Sequence, residues 1–204
     1  MQTQSILEFL HFNRPTKDQE TVLKAMQEFV QEENLDDFLI LCGAAGTGKT
    51  SITSALIGYL NHLDVNYRIA APTGRAARIL GRKANTSTST IHSMIYVPKQ
   101  DKDSGKVVFK LKISSNEKPT IYIIDEASMI PTQVDNNDTL FQVDKGLLFD
   151  LVSYIKTANA KNKIIFLGDQ YQLPPIHEEH SYALQKEFIK TTFFLLRLTN
   201  SCSQ

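Results

Sequence analysis

The chain has 204 residues, 42% of them hydrophobic, which suits one domain with room for a small insertion and a real core. Its 22 basic and 22 acidic residues cancel, which argues against a protein that coats DNA and leaves only a local basic groove. Cys42 and Cys202 have no metal or disulfide spacing, no secretory leader opens the sequence, and no apolar run approaches about 18 residues, so the expectation is a cytoplasmic protein without membrane contact.

In chain order, Val22, Leu23, Met26, Phe29 and Val30 make one stripe of a helix predicted over residues 16–32. Residues 38–42, F-L-I-L-C, read as a buried strand, with Cys42 as a small apolar residue at its end. Gly43 to Thr50, G-A-A-G-T-G-K-T, then match the phosphate-loop pattern in full, and Ile52, Ala55, Leu56, Tyr59 and Leu60 follow at helical spacing. Strand, glycine loop and helix in that order make a phosphate cradle. Backbone N–H groups of Gly43, Ala44, Ala45, Gly46, Thr47, Gly48, Lys49, Thr50 and Ser51 wrap a polyphosphate, and the helix N-terminus adds partial positive charge. Lys49 is expected to reach the β- and γ-phosphates, and the Thr50 hydroxyl to sit on Mg²⁺.

Residues 67–71 predict a second strand, stopped by Pro72, and a helix follows over residues 74–80. Residues 121–124 predict a third strand. Leu147, Leu148, Leu151, Val152 and Ile155 mark a helix; residues 163–167 and 193–198 predict a fourth and a fifth strand. Apolar strands alternating with helices imply a three-layer α/β fold around a mainly parallel sheet. Residues 135–139, D-N-N-D-T, read as a polar loop. One segment breaks the alternation. Between residues 95 and 118, Val107, Phe109, Leu111 and Ile113 lie on one side of an extended run, with Lys106, Lys110 and Lys112 on the other. Behind Asp103-Ser104-Gly105, this period of two predicts an inserted β-hairpin, its first arm confined to an edge by Pro98.

The third strand ends in Asp125-Glu126-Ala127-Ser128. An acid at the end of a strand neighbouring a phosphate loop completes the Mg²⁺ site, here Asp125 acting through bound water. Glu126, one residue on, is placed to polarise an attacking water as general base. A pair of merely solvated acids is the plainer reading. No N-K-x-D guanine signature is present, and a small-molecule kinase needs no hydrolytic glutamate.

The fourth strand runs into Gly168-Asp169-Gln170-Tyr171-Gln172-Leu173-Pro174-Pro175. D-E-A-S-M followed by G-D-x-x-Q-L-P-P strongly resembles motifs II and III of superfamily-one helicases of the RecD-like and Dda-like branch. Ala71 to Ala77, A-P-T-G-R-A-A, resembles motif Ia, and Thr90-Ile91-His92-Ser93 resembles motif Ib. Thr16-Lys17-Asp18-Gln19 is similar to the glutamine motif upstream of the phosphate loop, and the hairpin lies where this branch inserts its strand-separating pin. These features cover residues 15–198 in the family's order.

The resemblance implies a single RecA-like P-loop NTPase domain over residues 1–204, with a pin at residues 95–118, using ATP and Mg²⁺. It implies a motor that couples ATP hydrolysis to translocation on single-stranded DNA, 5′ to 3′, and to duplex unwinding. Gln19 would read the adenine edge, Gln172 would bind the γ-phosphate or the attacking water, and Thr73, Gly74, Arg75, Thr90 and His92 would hold DNA. Local alternatives stand beside these roles: a capping box for Thr16 and Gln19, a carboxylate partner for Arg75, a structural His92, and a solvated edge for the hairpin lysines.

The family needs two RecA-like domains and this sequence carries one. Residues 198–204 resemble the family's L-T-x-x-x-R-Q, with Ser203 where arginine is expected. The expectation is a monomer that binds ATP, turns it over slowly, holds single-stranded DNA weakly, and lacks its second RecA-like domain as partner. Two further readings remain open. One is a clamp-loader-type ATPase of the broader AAA family, whose fourth strand ends in a lone Asn or Thr sensor. The other is a free-standing, nucleotide-dependent DNA- or protein-binding module.

Overall fold

The computed structural model describes residues 4–11, 14–31, 36–100, 107–113, 118–133 and 146–201. The predicted polar loop at residues 135–139, the hairpin turn with Lys106, and Ser203 lie outside them.

Helix α1 (Lys17–Val30) opens on a two-way Thr16–Gln19 capping box and buries Leu23, Met26, Phe29 and Val30. Strand β1 (Phe38–Cys42) feeds the glycine loop, and α2 (Lys49–His62) buries Ile52, Ala55, Leu56, Ile57, Tyr59 and Leu60. Then come β2 (Asn66–Ala71), α3 (Gly74–Ala84), β3 (Ser89–Thr90), α4 (Ile91–Ile95), β4 (Tyr96–Gln100) and β5 (Val107–Leu111). The chain continues through β6 (Thr120–Ile124), α5 (Leu147–Ala158), β7 (Lys163–Gly168) and α6 (Lys186–Ser201).

The main sheet runs β1-β7-β6-β2-β3 with every pairing parallel. Its strands read as unbroken apolar runs because both faces are covered. Ile121, Ile123, Ile165 and Leu167 join the core under α1 and α2, while Tyr122, Ile124, Ile164 and Phe166 join the core under α4, α5 and α6. Each such side chain contributes about 1.5–3 kcal/mol of apolar transfer. The three-layer α/β expectation therefore holds, and among the described residues no helix is long and apolar enough to cross a membrane.

Several expectations are corrected. The fifth strand at residues 193–198 is instead the second half of α6. Ile189 and Phe193, four residues apart, bury one helical face, with the Phe193 ring 5.2 Å from that of Phe38. A short apolar run carries no period of its own, so packing decided the element. Strand β1 lies at the sheet edge, pairing with β7 alone among the described strands, and its residues are half-buried rather than buried. Cys42 is exposed, not core. Although the residue is exposed by surface area, the protein atoms around its thiol desolvate it, which with the Asp169 charge pushes the thiol pKa up, against a lowering pull from Lys49.

The hairpin is present as the antiparallel pair β4–β5, with Pro98 opposite Phe109. Phe109 and Leu111 pack on the core of α5, and the buried Tyr96 hydroxyl donates a 2.7 Å hydrogen bond to Asp150 of that helix. Burial, then that hydrogen bond, raises the Tyr96 pKa far above its usual value. Ile113 lies beyond the strand and is fully exposed. Lys112 donates to the carbonyls of Ser93 (2.6 Å) and Met94 (3.2 Å), so it holds the hairpin to α4 instead of facing outward with Lys110.

Candidate nucleotide and DNA site

Gly46 (φ 83°) and Gly48 (φ 89°) adopt left-handed backbone that residues with a Cβ rarely take, which lets the loop turn back over the start of α2. A Cβ on Gly43 would sit 2.8 Å from Thr47 Oγ1. Gly43 N–H donates to Gly168 O (3.0 Å), tying the loop to the end of β7. Helix α2 opens at Gly48 with no side-chain cap, so its first-turn N–H groups are left for an anion. The Lys49 ammonium donates to the carbonyls of Gly43 and Ala44 and holds the loop closed on itself.

Gln19 stands beside this loop. Its Oε1 accepts from Thr16 N–H (3.0 Å) and its Nε2 donates to Thr47 O (3.0 Å), so both ends of the amide are engaged. The capping box and the place beside the nucleotide loop are thus both realised. Gln19 also borders a cavity of about 250 Å³ that Val22, Met26, Leu41, Ile52 and Leu167 line on its apolar side. Ligand pockets usually hold about 300–1,000 Å³, so this one suits a base rather than a whole nucleotide.

Asp125 and Glu126 follow β6, at the same end of the sheet as the glycine loop. Burial raises the Asp125 carboxyl pKa and the neighbouring Glu126 charge adds to that; a backbone hydrogen bond, Lys49 and Lys83 pull it down. Two adjacent carboxylates, one of them partly desolvated, repel each other and so favour a cation between them. Glu126 takes left-handed backbone (φ 51°, ψ 38°), rare for a residue with a side chain, and its buried Oε2 has no hydrogen-bond partner. Buried carboxylate oxygens are costly to leave unpaired. Gln172 comes from the turn after β7. Its backbone N–H donates to Asp169 O (3.2 Å), and its side-chain oxygen accepts from the buried Ser128 hydroxyl (3.1 Å).

These residues fit a nucleoside triphosphate with a divalent cation: an uncapped helix start, glycines that admit close approach, a lysine held by loop carbonyls, and a carboxylate oxygen orphaned among the described residues. Among the described residues no three His, Cys, Asp or Glu side chains converge as a metal cage. Thr50 and Asp125 would supply two oxygens, which is how Mg²⁺ is held when phosphates and water complete its shell.

At the other edge of the sheet, Ala71 pairs with Thr90, and a Cβ on Gly74 would lie 3.9 Å from the Thr90 methyl, so the segments resembling motifs Ia and Ib are adjacent. The Thr73 and Thr90 oxygens accept the cap bonds of α3 and α4 from Ala76 N–H (3.2 Å) and Ser93 N–H (3.1 Å). Each hydroxyl keeps its own proton to donate. Arg75 is exposed and makes no ion pair among the described residues. His92 packs against the Tyr96 ring at 5.8 Å.

Two residues escaped the sequence reading. Ser128 orients Gln172, and Glu178 accepts from Thr132 N–H, Thr132 Oγ1 and Gln133 N–H, stapling the segment after β6 to the loop after β7. Ser128 lies inside the D-E-A-S-M string, which was its only signal; Glu178 had none.

The family model described as "AAA domain" (AAA_30) matches residues 16–192. The chain belongs to that family. It is 27% identical over 138 residues to the ATP-dependent RecD2 DNA helicase of Deinococcus radiodurans, covering 68% of this chain and 16% of that protein. It is 25% identical over 190 residues to the ATP-dependent DNA helicase dda of Enterobacteria phage T4, covering 92% and 39%. The ATP-dependent DNA helicase PIF1 of Saccharomyces cerevisiae is 25% identical over 205 residues, covering 90% and 21%. The chain thus spans well under half the length of these relatives. With them it is a superfamily-one motor domain of the RecD-like and Dda-like kind.

Proposed function

We propose that this domain binds Mg·ATP in the loop of residues 43–51 and hydrolyses it to drive movement along single-stranded DNA. In this reading Lys49 leaves the loop carbonyls for the β- and γ-phosphates, the first-turn N–H groups of α2 hold the phosphate oxygens, and Thr50 and Asp125 hold the cation. The cation would neutralise charge on the transferred phosphoryl group. Glu126 takes a proton from water as general base, and Gln172, aimed by Ser128, positions that water. Gln19 exchanges its bond to Thr47 for the adenine edge, whose N6 and N7 suit an amide. Thr73, Gly74, Arg75 and Thr90 grip DNA phosphates, with His92 beside them.

What carries this reading is the buried, unpartnered Oε2 of Glu126 next to Asp125, at the same end of the sheet as Lys49 and Gln172. The relatives add support, since all three are named as ATP-dependent DNA helicases. They also favour a helicase over a clamp-loader-type ATPase, as does the G-D-x-x-Q turn from Gly168 to Gln172 that follows β7. The domain supplies one RecA-like half of a 5′-to-3′ motor, β4–β5 serves as its strand-separating pin, and a second RecA-like domain completes the cleft.

Titration calorimetry with Mg·ATP tests the core of the proposal: tight binding by the native chain and a large loss in Lys49→Ala are expected. Equal affinity in the two proteins refutes it. Strand displacement at low salt tests the division into halves, because unwinding needs two gripping domains. Robust unwinding by the 204-residue chain alone would overturn it.

A further inference from the structure

Helix α3, G-R-A-A-R-I-L-G-R-K-A, carries four cations and no acid in a chain of zero net charge. At about 100° per residue, Arg75, Arg78 and Arg82 fall within an arc of roughly 60°. All three are exposed, and the opposite face buries Ala77 and Leu80. None of the three makes a hydrogen bond or ion pair among the described residues; the ion pairs found there are Lys156–Asp37 and Lys190–Glu187. Ile79 lies on the same face, 45% exposed, and Lys83 flanks it. Like charges at this spacing repel by a few tenths of a kcal/mol, so the face is self-destabilising until a polyanion lies on it.

We propose that Arg78 and Arg82 extend the grip of Arg75 into a phosphate track for single-stranded DNA, with Ile79 against a sugar or base. This rests on the reading of the domain as a DNA motor and goes beyond it, since that reading puts no residue of α3 past Arg75 on DNA. The stripe starts at the junction of Gly74 with Thr90 and runs about 10 Å along the axis, at about 1.5 Å per residue. Guanidinium forks match phosphate oxygens two at a time. A membrane surface is the poorer partner, because an interfacial helix inserts its apolar face and the apolar face of α3 is already buried in the core.

The test is fluorescence anisotropy of a labelled oligothymidylate against the 204-residue chain, repeated over a series of salt concentrations. The native chain is compared with Arg78→Ala/Arg82→Ala and with Arg78→Lys/Arg82→Lys. A labelled ATP analogue and anionic lipid vesicles serve as further probes. Losing two phosphate contacts on a single strand should lower the log–log salt slope by about 1.4 and weaken low-salt binding roughly tenfold. The lysine pair should keep most of the slope, and nucleotide affinity should not change in either variant. If the native chain binds the oligonucleotide and the alanine pair keeps its slope and affinity, the track is wrong while the motor reading stands. If the native chain binds no oligonucleotide, or binds vesicles in its place, both fall.

Discussion

The Ser128 hydroxyl donates a 3.1 Å hydrogen bond to the side-chain oxygen of Gln172, joining the turn after β6 to the turn after β7. Ser128 is fully buried and follows the Asp125–Glu126 pair by two residues. One contact therefore links the segment that carries Asp125 and Glu126 to the Gln172 amide. Ser128→Ala removes the contact and frees the Gln172 amide to rotate. A net hydrogen bond is worth about 0.5–1.5 kcal/mol, so ATP turnover should fall roughly two- to tenfold with nucleotide affinity unchanged. Steady-state ATPase assays beside calorimetry check this; a matching loss of affinity would assign Ser128 to binding instead.

Lys49 spends its ammonium on the carbonyls of Gly43 and Ala44. Those carbonyls are near solvent, so Lys49→Ala should fold with a melting temperature close to native. Charge-assisted bonds to phosphate contribute about 1.5–3 kcal/mol, so nucleotide affinity should drop about 10- to 100-fold. Collapse of the fold in circular dichroism would make Lys49 structural rather than a phosphate ligand.

Asp125 has a raised pKa, chiefly from burial. The sign follows: its folded pKa lies above its unfolded value, so its contribution to stability is full below the unfolded pKa and is lost as pH rises through the folded pKa. Asp125→Asn should therefore melt higher than the native chain at neutral pH without nucleotide, and that gain should vanish in acid, where Asp125 is protonated. The same change should abolish metal-dependent ATP binding. Thermal melts across pH decide it, since a gain that persists in acid would point to some cause other than the buried charge.

Glu126→Gln removes the charge of the orphaned carboxylate while keeping its shape. Mg·ATP affinity should survive and hydrolysis should drop about 10²–10⁴-fold, the usual contribution of general acid–base catalysis. Equal losses of affinity in Asp125→Asn and Glu126→Gln would undo the division of labour between metal ligand and base.

The Tyr96 hydroxyl anchors the hairpin through a bond to the Asp150 carboxylate. Tyr96→Phe should cost about 1.5–3 kcal/mol of stability, the range for a hydrogen bond to a charged group. Denaturant unfolding measures it, and a cost near zero would show that the hairpin base is held by Phe109 and Leu111 packing alone.

Much of the local geometry around the candidate site could be read without coordinates because it is encoded locally. Glycines at positions 46 and 48 specify left-handed turns, Thr16, Thr73 and Thr90 specify caps three residues ahead, and apolar runs specify two-sided strands. Each such signal acts within a few residues, so its spacing in the chain is its geometry in the fold. Tertiary structure decided what depends on distant partners. Exposure of Cys42 follows from β1 lying at the sheet edge, and the helical state of residues 193–198 follows from the packing of Phe193 on Phe38. Lys112 turns from the side of the hairpin it shares with Lys110 to the α4 carbonyls, and Ser128 finds Gln172 across 44 positions. A hydrogen bond or an apolar contact is formed by whichever groups the sheet order brings together, and no local period carries that order.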